Sequence, residues 1–496
     1  MKQHFLHRGS KILLGLSGSI LLFLSSSLLA DEKPNIVFVL VDDHAFEAVS
    51  VYGSYLKDYA RTPTIDSLGD KGMRFDNFVC ANSICSPSRA SFITGQYSHI
   101  NGVKDLNQEI KTTSPWLSEE LKKGGYETLL VGKWHLQGEI RGFDKHMTVK
   151  GQGQYFDPTF YGSEGTWKRK GYSTDVYTDI ALDWLKQRDE SKPFYLALQF
   201  KAPHHEYGHA PRYNNLLAGI EIPEPPTLYE DTHNSNSRLK SEFLAETRFH
   251  MTRSYNKGEP EGYYDRHVND EAPNAMWEHD PSDDRDKIRV AYQHMIRKYI
   301  RCIQGNDDNL KRVIDYLESE NLTEDTIVIY TSDQGYWLGQ HGMYDKRLIL
   351  ETSIRMPFLI RYPKLIKPGT VNNSICVNVD LAPTLLDMVG LPIPDEMQGH
   401  SFAGMLSGEK EPSDWRTSSL YSYWSIGPKH LGIRTKRYTY LKINTHIELF
   451  DRLKDPAQIS DLSSIPEYKT ALAECEKELE NQIQETAFAE ADWPRN

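Results

Sequence analysis

The sequence is short of cysteine, lacks a basic excess, and has no long apolar run beyond its first thirty residues. The charge balance is 57 basic against 69 acidic side chains, a net of −12. Nucleic-acid binders carry clustered basic charge, so the balance argues against that class. It leaves room for a local basic pocket that would take a small anion. No segment after residue 30 is long and apolar enough to span a bilayer, which needs about 20 apolar residues. No repeat or low-complexity tract occurs. The five cysteines are Cys80, Cys85, Cys302, Cys376 and Cys475. An odd number excludes complete internal pairing. With Cys85 set aside, the other four are either disulfides or buried thiols.

What is present begins at the N-terminus. Lys2, His7, Arg8 and Lys11 precede an apolar stretch from Ile12 to Leu29, and Ala30 precedes a polar Asp31-Glu32-Lys33. This reads as a signal peptide over residues 1–30, removed on export to the periplasm or beyond, with no stable membrane insertion afterwards. The competing reading is an uncleaved anchor. The remaining chain, in a protein 39% hydrophobic and 25% charged, is ample for a large core.

Asn35 to Val41 is a continuous β-branched apolar run, as expected of a strand buried on both faces. Thr128 to Val131, Phe194 to Leu198 and Thr326 to Tyr330 are similar. Amphipathic helical patterns precede the third run (Tyr177, Ile180, Ala181, Trp184, Leu185) and the fourth (Leu310, Val313, Ile314, Leu317). Alternating strands and helices predict an α/β sandwich around a mostly parallel sheet. Residues 206 to 285 are polar and read as long loops beside the site mouth. After about residue 410 the pattern alternates apolar and polar at 420–425, 431–443 and 447–450. That predicts a small antiparallel sheet, followed by a helix over 465–486. The expected division is a catalytic domain over 31–410 and a C-terminal subdomain over 411–496.

Each long run ends in polar residues: Asp42-Asp43, Gly132-Lys133-Trp134-His135, Lys201-Ala202-Pro203-His204-His205, and Ser332-Asp333-Gln334-Gly335. Open parallel sheets bind ligands beyond the carboxyl ends of their strands, so these residues should meet in one crevice. Two adjacent acids at a buried strand end repel unless a cation joins them, which favours a metal over a pair of turn residues. Cys85 precedes Pro87, which suits a first helical turn, and Gly95 suits its end. Arg89 then lies on the same helix face as Cys85, and the helix N-terminus favours an anion there. A buried cysteine beside a surface arginine is the plainer alternative.

The pattern extends further. Cys85-Ser86-Pro87-Ser88-Arg89 with Thr94-Gly95, and Gly125 to His135, resemble the two signatures of the formylglycine-dependent (type I) sulfatases. Asp42-Asp43, Asp333-Gln334-Gly335 and Gly339-Gln340-His341-Gly342 with Lys346 are similar to further motifs of that family. The resemblance covers nearly the whole mature chain, in the family's order. It implies an alkaline-phosphatase-like α/β/α sandwich with a small C-terminal antiparallel sheet. It also implies that a formylglycine-generating or anaerobic maturation enzyme oxidises Cys85 to an aldehyde. The hydrated aldehyde attacks sulfur, the alcohol leaves, and loss of the second hydroxyl's proton expels sulfate and restores the aldehyde. Asp42, Asp43, Asp333, Gln334 and the modified Cys85 would hold Ca²⁺ in preference to Mg²⁺. Gln334 departs from the family's usual Asn or His, which puts its ligation in question. Lys133 and Lys346 would bind sulfate, Arg89 would hold the diol, His135 would act as base and His204 as acid. Lys346-Arg347 leaves the lysine's register open by one residue, and His205 is the less favoured neighbour of His204. The run Gly151-Gln152-Gly153-Gln154-Tyr155 resembles exported glycan sulfatases, so a sulfated polysaccharide or oligosaccharide is the expected substrate. Tyr155, Tyr423 and Trp424 are either sugar-stacking residues or ordinary packed aromatics.

Overall fold

The four apolar runs are adjacent strands of one ten-stranded sheet. In a computed structural model describing residues 33–230, 235–246, 251 and 284–495, they span Thr326–Ser332, Asn35–Asp42, Phe194–Pro203 and Glu127–Lys133, in that spatial order. All three pairings among them are parallel, with Val37 opposite both Leu196 and Val328. Shorter strands extend the sheet on both sides, several of them antiparallel.

Alternation along the central strand explains the layers. Ile36, Phe38 and Leu40 face one buried cluster, shared with Ala90 and Phe92 of the Cys85–Thr94 helix and Leu385 of the Leu381–Met388 helix. Val37, Val39 and Val41 face another, shared with the Ser173–Leu185 and Asp284–Ser319 helices. With helices on both faces this central strand is buried along its whole length, so the run carries no polar alternation. The result is the three-layer α/β/α sandwich expected from the sequence.

The C-terminal sheet is a four-stranded antiparallel meander: Ser418–Tyr423, His430–Thr435, Tyr438–Ile443 and His446–Asp451. The Lys469–Glu485 helix lies on it through Ala471, Cys475 and Leu479, one residue per turn on one face. Leu431 and Phe450 of this sheet belong to the same core cluster as Phe38 and Phe92, so it packs directly on the large sandwich.

The expected long loops at 206–285 are only partly loops. Among the described residues, Arg238–Glu246 is a helix. Leu239 and Phe243, one turn apart, are both buried, within a stretch too short and too polar to show a clear period. The rest of that segment, and the signal peptide at 1–30, lie largely or wholly outside the described residues. Among the described residues, no helix is long and apolar enough to cross a membrane.

Candidate active site

The carboxyl ends of the central strands bring the acids together. Asp42 ends its strand, and Asp43 turns into the left-handed region at φ 65°, so successive carboxylates reach one point. The Asp43 N–H donates to Asp333 Oδ1 at 3.1 Å, tying the two strand ends. Oxygens of Asp42, Asp43 and Asp333 lie within 4.8 Å of one another, and all three residues are fully buried. Burial pushes the Asp43 carboxyl up to about 6 against the pull of Lys346. Burial and the Asp42 charge push Asp333 up to about 7. Burial also acts to raise Asp42, but Lys133, His204, Arg89 and Lys346 outweigh it and hold Asp42 well below the usual carboxylate range. Three buried carboxylates this close call for a cation. Gln334 strengthens the fit. Its Nε2 donates to Asp43, while its buried Oε1 has no hydrogen-bond partner. Carboxylate and amide oxygens together form a hard donor set suited to Ca²⁺ or Mg²⁺.

Cys85 opens the Cys85–Thr94 helix, which ends at Gly95 with φ 64°. That left-handed residue is tight against Met397, so glycine suits it on both counts. The Cys85 Sγ lies 3.3 Å from Asp42 Oδ1 and 3.6 Å from Lys133 Nζ. Burial, reinforced by the Asp42 charge, pushes its thiol up to about 12. An unmodified Cys85 is therefore a protonated thiol and a poor nucleophile at neutral pH. Arg89, one turn on, donates from Nε to Asp333 Oδ2 at 3.0 Å and from Nη1 to the Lys133 carbonyl at 2.6 Å. Its Nη2 is buried and lacks a hydrogen-bond partner. Lys133 forms an ion pair with Asp42.

The histidines and Lys346 complete the crevice. His135 has φ 55°, and its Nδ1 is buried without a partner. Burial, then repulsion from Lys133, lowers it to about 2, so the ring is neutral at physiological pH. His204 Nε2 lies 3.6 Å from Asp43 Oδ2, and burial keeps this ring neutral as well. His205 instead stacks on Tyr344 at 5.7 Å. Lys346 Nζ contacts both Asp43 oxygens, at 2.6 and 2.7 Å, while Arg347 turns away to Asp345 at 2.6 Å. The structure thus brings Asp42, Asp43, Cys85, Arg89, Lys133, His135, His204, Asp333, Gln334 and Lys346 to one crevice, with Lys346 rather than Arg347 facing it.

The three aromatic candidates are packed. Tyr155 is buried, and its hydroxyl donates to the His204 carbonyl at 2.5 Å. Tyr423 is fully buried and donates to the Ile426 carbonyl, so it offers no face for a sugar. Trp424 stacks on Phe488 and donates to the Asp492 carbonyl. All five cysteines are buried free thiols, which decides against internal disulfides. The sequence reading gave no role to two site residues. Gln199 accepts from Arg89 Nη1 at 2.8 Å, and Lys201 lies buried with its ammonium 4.6 Å above the Tyr155 ring. Their signal was available: two polar residues at alternate positions in an otherwise apolar strand share a face.

The arrangement is an anion site. Arg89, Lys133, Lys346 and a helix N-terminus lie with the Cys85 thiol beside an acidic cluster, and two neutral imidazoles, His135 and His204, belong to the same group. Comparison with known proteins agrees with it. The family model described as Sulfatase matches residues 34–391, and that described as N-sulphoglucosamine sulphohydrolase, C-terminal, matches 339–485. The chain belongs to the sulfatase family and is a type I sulfatase, a sulfuric ester hydrolase with the alkaline-phosphatase-like fold. It is 34% identical over 490 residues to an N-acetylglucosamine-6-O-sulfatase of Bacteroides thetaiotaomicron, covering 92% of this chain and 86% of the relative. An ulvan-active sulfatase of Formosa agariphila is 26% identical, covering 91% and 81%. A structure solved in complex with its substrate, D-glucosamine-2-N,6-O-disulfate, superposes with TM-score 0.83 at 32% identity, covering 93% of this chain and 99% of that one.

Proposed function

We propose that this protein is an exported glycan sulfatase that removes a 6-O-sulfate from glucosamine residues of a sulfated saccharide. The observation that carries the reaction type is the position of Cys85. It sits at a helix N-terminus against the Asp42–Lys133 ion pair, where an oxygen nucleophile and a sulfate would meet. The choice of sugar is supported by the similarity to an N-acetylglucosamine-6-O-sulfatase and by the glucosamine disulfate bound in the similar solved structure. Export to the periplasm or the medium is supported by the N-terminal basic and apolar pattern.

Asp42, Asp43, Asp333 and Gln334 would hold a divalent cation, Ca²⁺ in preference to Mg²⁺, because a mixed carboxylate and amide set suits the larger ion. Bound there, it would neutralise the acids and draw electron density from the attacking oxygen and the sulfate. Cys85, oxidised by a maturation enzyme, would supply the hydrated aldehyde as nucleophile. The chain's own groups do the rest. Arg89, fixed by Asp333 and Gln199, keeps its Nη2 free of hydrogen bonds and 3.8 Å from Asp42 Oδ1, the oxygen that Cys85 also contacts. Lys133 and Lys346 donate to sulfate oxygens as charge builds in the transition state. Neutral His135 accepts the proton whose loss releases sulfate, and the His204 N–H donates to the departing sugar oxygen.

Sulfate release from a panel of regiospecifically sulfated saccharides, measured with the periplasmic and secreted fractions of the native host, tests the reading. The 6-O-sulfated glucosamines are expected to be the fastest substrates. Faster hydrolysis of uronate or galactosamine sulfates would overturn the choice of sugar. Faster hydrolysis of an aryl phosphate diester would overturn the choice of ester. Activity confined to the cytoplasm would overturn export.

A further inference from the structure

Lys346 sits on a strained bend. Its neighbours Asp345 and Arg347 have φ of 94° and 100°, and neither is glycine. Such backbone persists only where its surroundings hold it. Part of the hold is local: Arg347 Nε pairs with Asp345 Oδ2 at 2.6 Å, across Lys346. The rest comes from the C-terminal sheet. The Tyr421 hydroxyl donates to the Arg347 carbonyl at 2.6 Å, and Arg347 Nη1 donates to the Tyr423 hydroxyl at 3.3 Å. Tyr421 and Tyr423 are alternate residues of the Ser418–Tyr423 strand, so both reach the bend from one face.

Tyr421 also grips the other side of the site. Its hydroxyl oxygen lies 2.7 Å from Ser83 Oγ, two residues before Cys85, and Ser353 Oγ donates to Ser83 Oγ at 3.0 Å. The hydroxyls then form one directed chain, Ser353 to Ser83 to Tyr421 to the Arg347 carbonyl, with every proton used. All members are buried. The Tyr421 ring is itself fixed against His430 at 5.4 Å, and His430 Nε2 accepts the Ile349 N–H at 3.2 Å.

We infer that Tyr421 is a positioning residue for the reaction: its hydroxyl sets the spacing between the segment leading into Cys85 and the bend that presents Lys346. The C-terminal sheet is therefore part of the catalytic apparatus, although no residue of it touches the reacting atoms. The inference rests on the proposed roles of Cys85 and Lys346.

A double-mutant cycle with steady-state kinetics on the 6-O-sulfated substrate tests it. Tyr421→Phe keeps the ring and removes only the hydroxyl. It is expected to lower kcat/KM by about tenfold, mostly through kcat, with the melting temperature little changed. In a Lys346→Ala background the same change is expected to cost less than about twofold, because the group being positioned is gone. Ser83→Ala, which removes the other end of the bond without touching the C-terminal sheet, is expected to repeat the pattern more weakly. An equal loss from Tyr421→Phe in both backgrounds, or no loss in either, overturns the inference while leaving the proposed function intact. Full activity of Lys346→Ala would overturn the Lys346 assignment and the inference together.

Discussion

Cys85→Ala is expected to abolish turnover, a loss on the order of 10⁴-fold or more, while the protein remains folded. The loss follows from the absence of a substitute. Ser86 and Ser88 follow closely, but the Ser86 hydroxyl donates to the His135 carbonyl and the Ser88 hydroxyl to the Asp333 carbonyl. Asn378 Nδ2 holds Ser88 from the other side at 2.9 Å. Neither serine can swing into the crevice without breaking a buried hydrogen bond. The substitution itself deletes one sulfur atom from a buried site, a structural cost of about 1 kcal/mol. Cys85→Ser separates the chemistry from the mere presence of a hydroxyl. It should give at most one equivalent of released alcohol, because a serine sulfate ester has no second hydroxyl to expel sulfate. Pre-steady-state product release and a melting curve check both variants. Multiple turnovers by either would remove Cys85 from the reaction.

Removing the metal or its central ligand is the second large effect. Chelation is expected to reduce turnover by about 10² to 10³-fold and to lower the melting temperature, since a cation bound only by the folded state stabilises it. At 100 times its dissociation constant that stabilisation is about 2.7 kcal/mol. Re-addition of Ca²⁺ should restore both more fully than Mg²⁺; restoration by Mg²⁺ alone would reverse the choice of ion. Asp333 is the telling ligand because it does three things. Its carboxylate belongs to the acidic cluster, accepts the Asp43 N–H and pairs with Arg89. Asp333→Ala removes the nearer carboxylate from buried Arg89 and leaves only Asp42 at 3.8 Å, a loss of up to about 3–5 kcal/mol, so instability would obscure the metal effect. Asp333→Asn keeps the shape and most of the hydrogen bonding. It is expected to fold, to bind Ca²⁺ far more weakly by calorimetry and to lose most activity. Unchanged Ca²⁺ affinity in that variant would exclude Asp333 as a ligand.

The sequence carried most of this because central strands of a parallel sheet leave a strong signature. Asn35 to Val41 is apolar on both faces and stops at Asp42-Asp43, so strand and site appear in one stretch of text. The same holds for the strands ending at Lys133 and Asp333. Other parts are fixed by contacts far apart in sequence. Gln199 matters through Arg89, 110 residues away, and Tyr421 through Ser83, 338 residues away. No local pattern reports such pairs. Tyr423 shows the converse case, left open between two readings. An aromatic in an alternating strand reads equally as a sugar platform or as core, and only the Arg347 side chain and the Ile426 carbonyl at its hydroxyl decide for the core. The Arg238–Glu246 helix was missed for a related reason: its nine residues are too few to establish a period within polar surroundings.

Every proposed step depends on Cys85 as the precursor of the nucleophile. The most direct measurement is mass spectrometry of the peptide containing Cys85, from active protein purified from its native host. The account predicts the aldehyde form, in proportion to specific activity across preparations. An intact Cys85 thiol in fully active protein would contradict it.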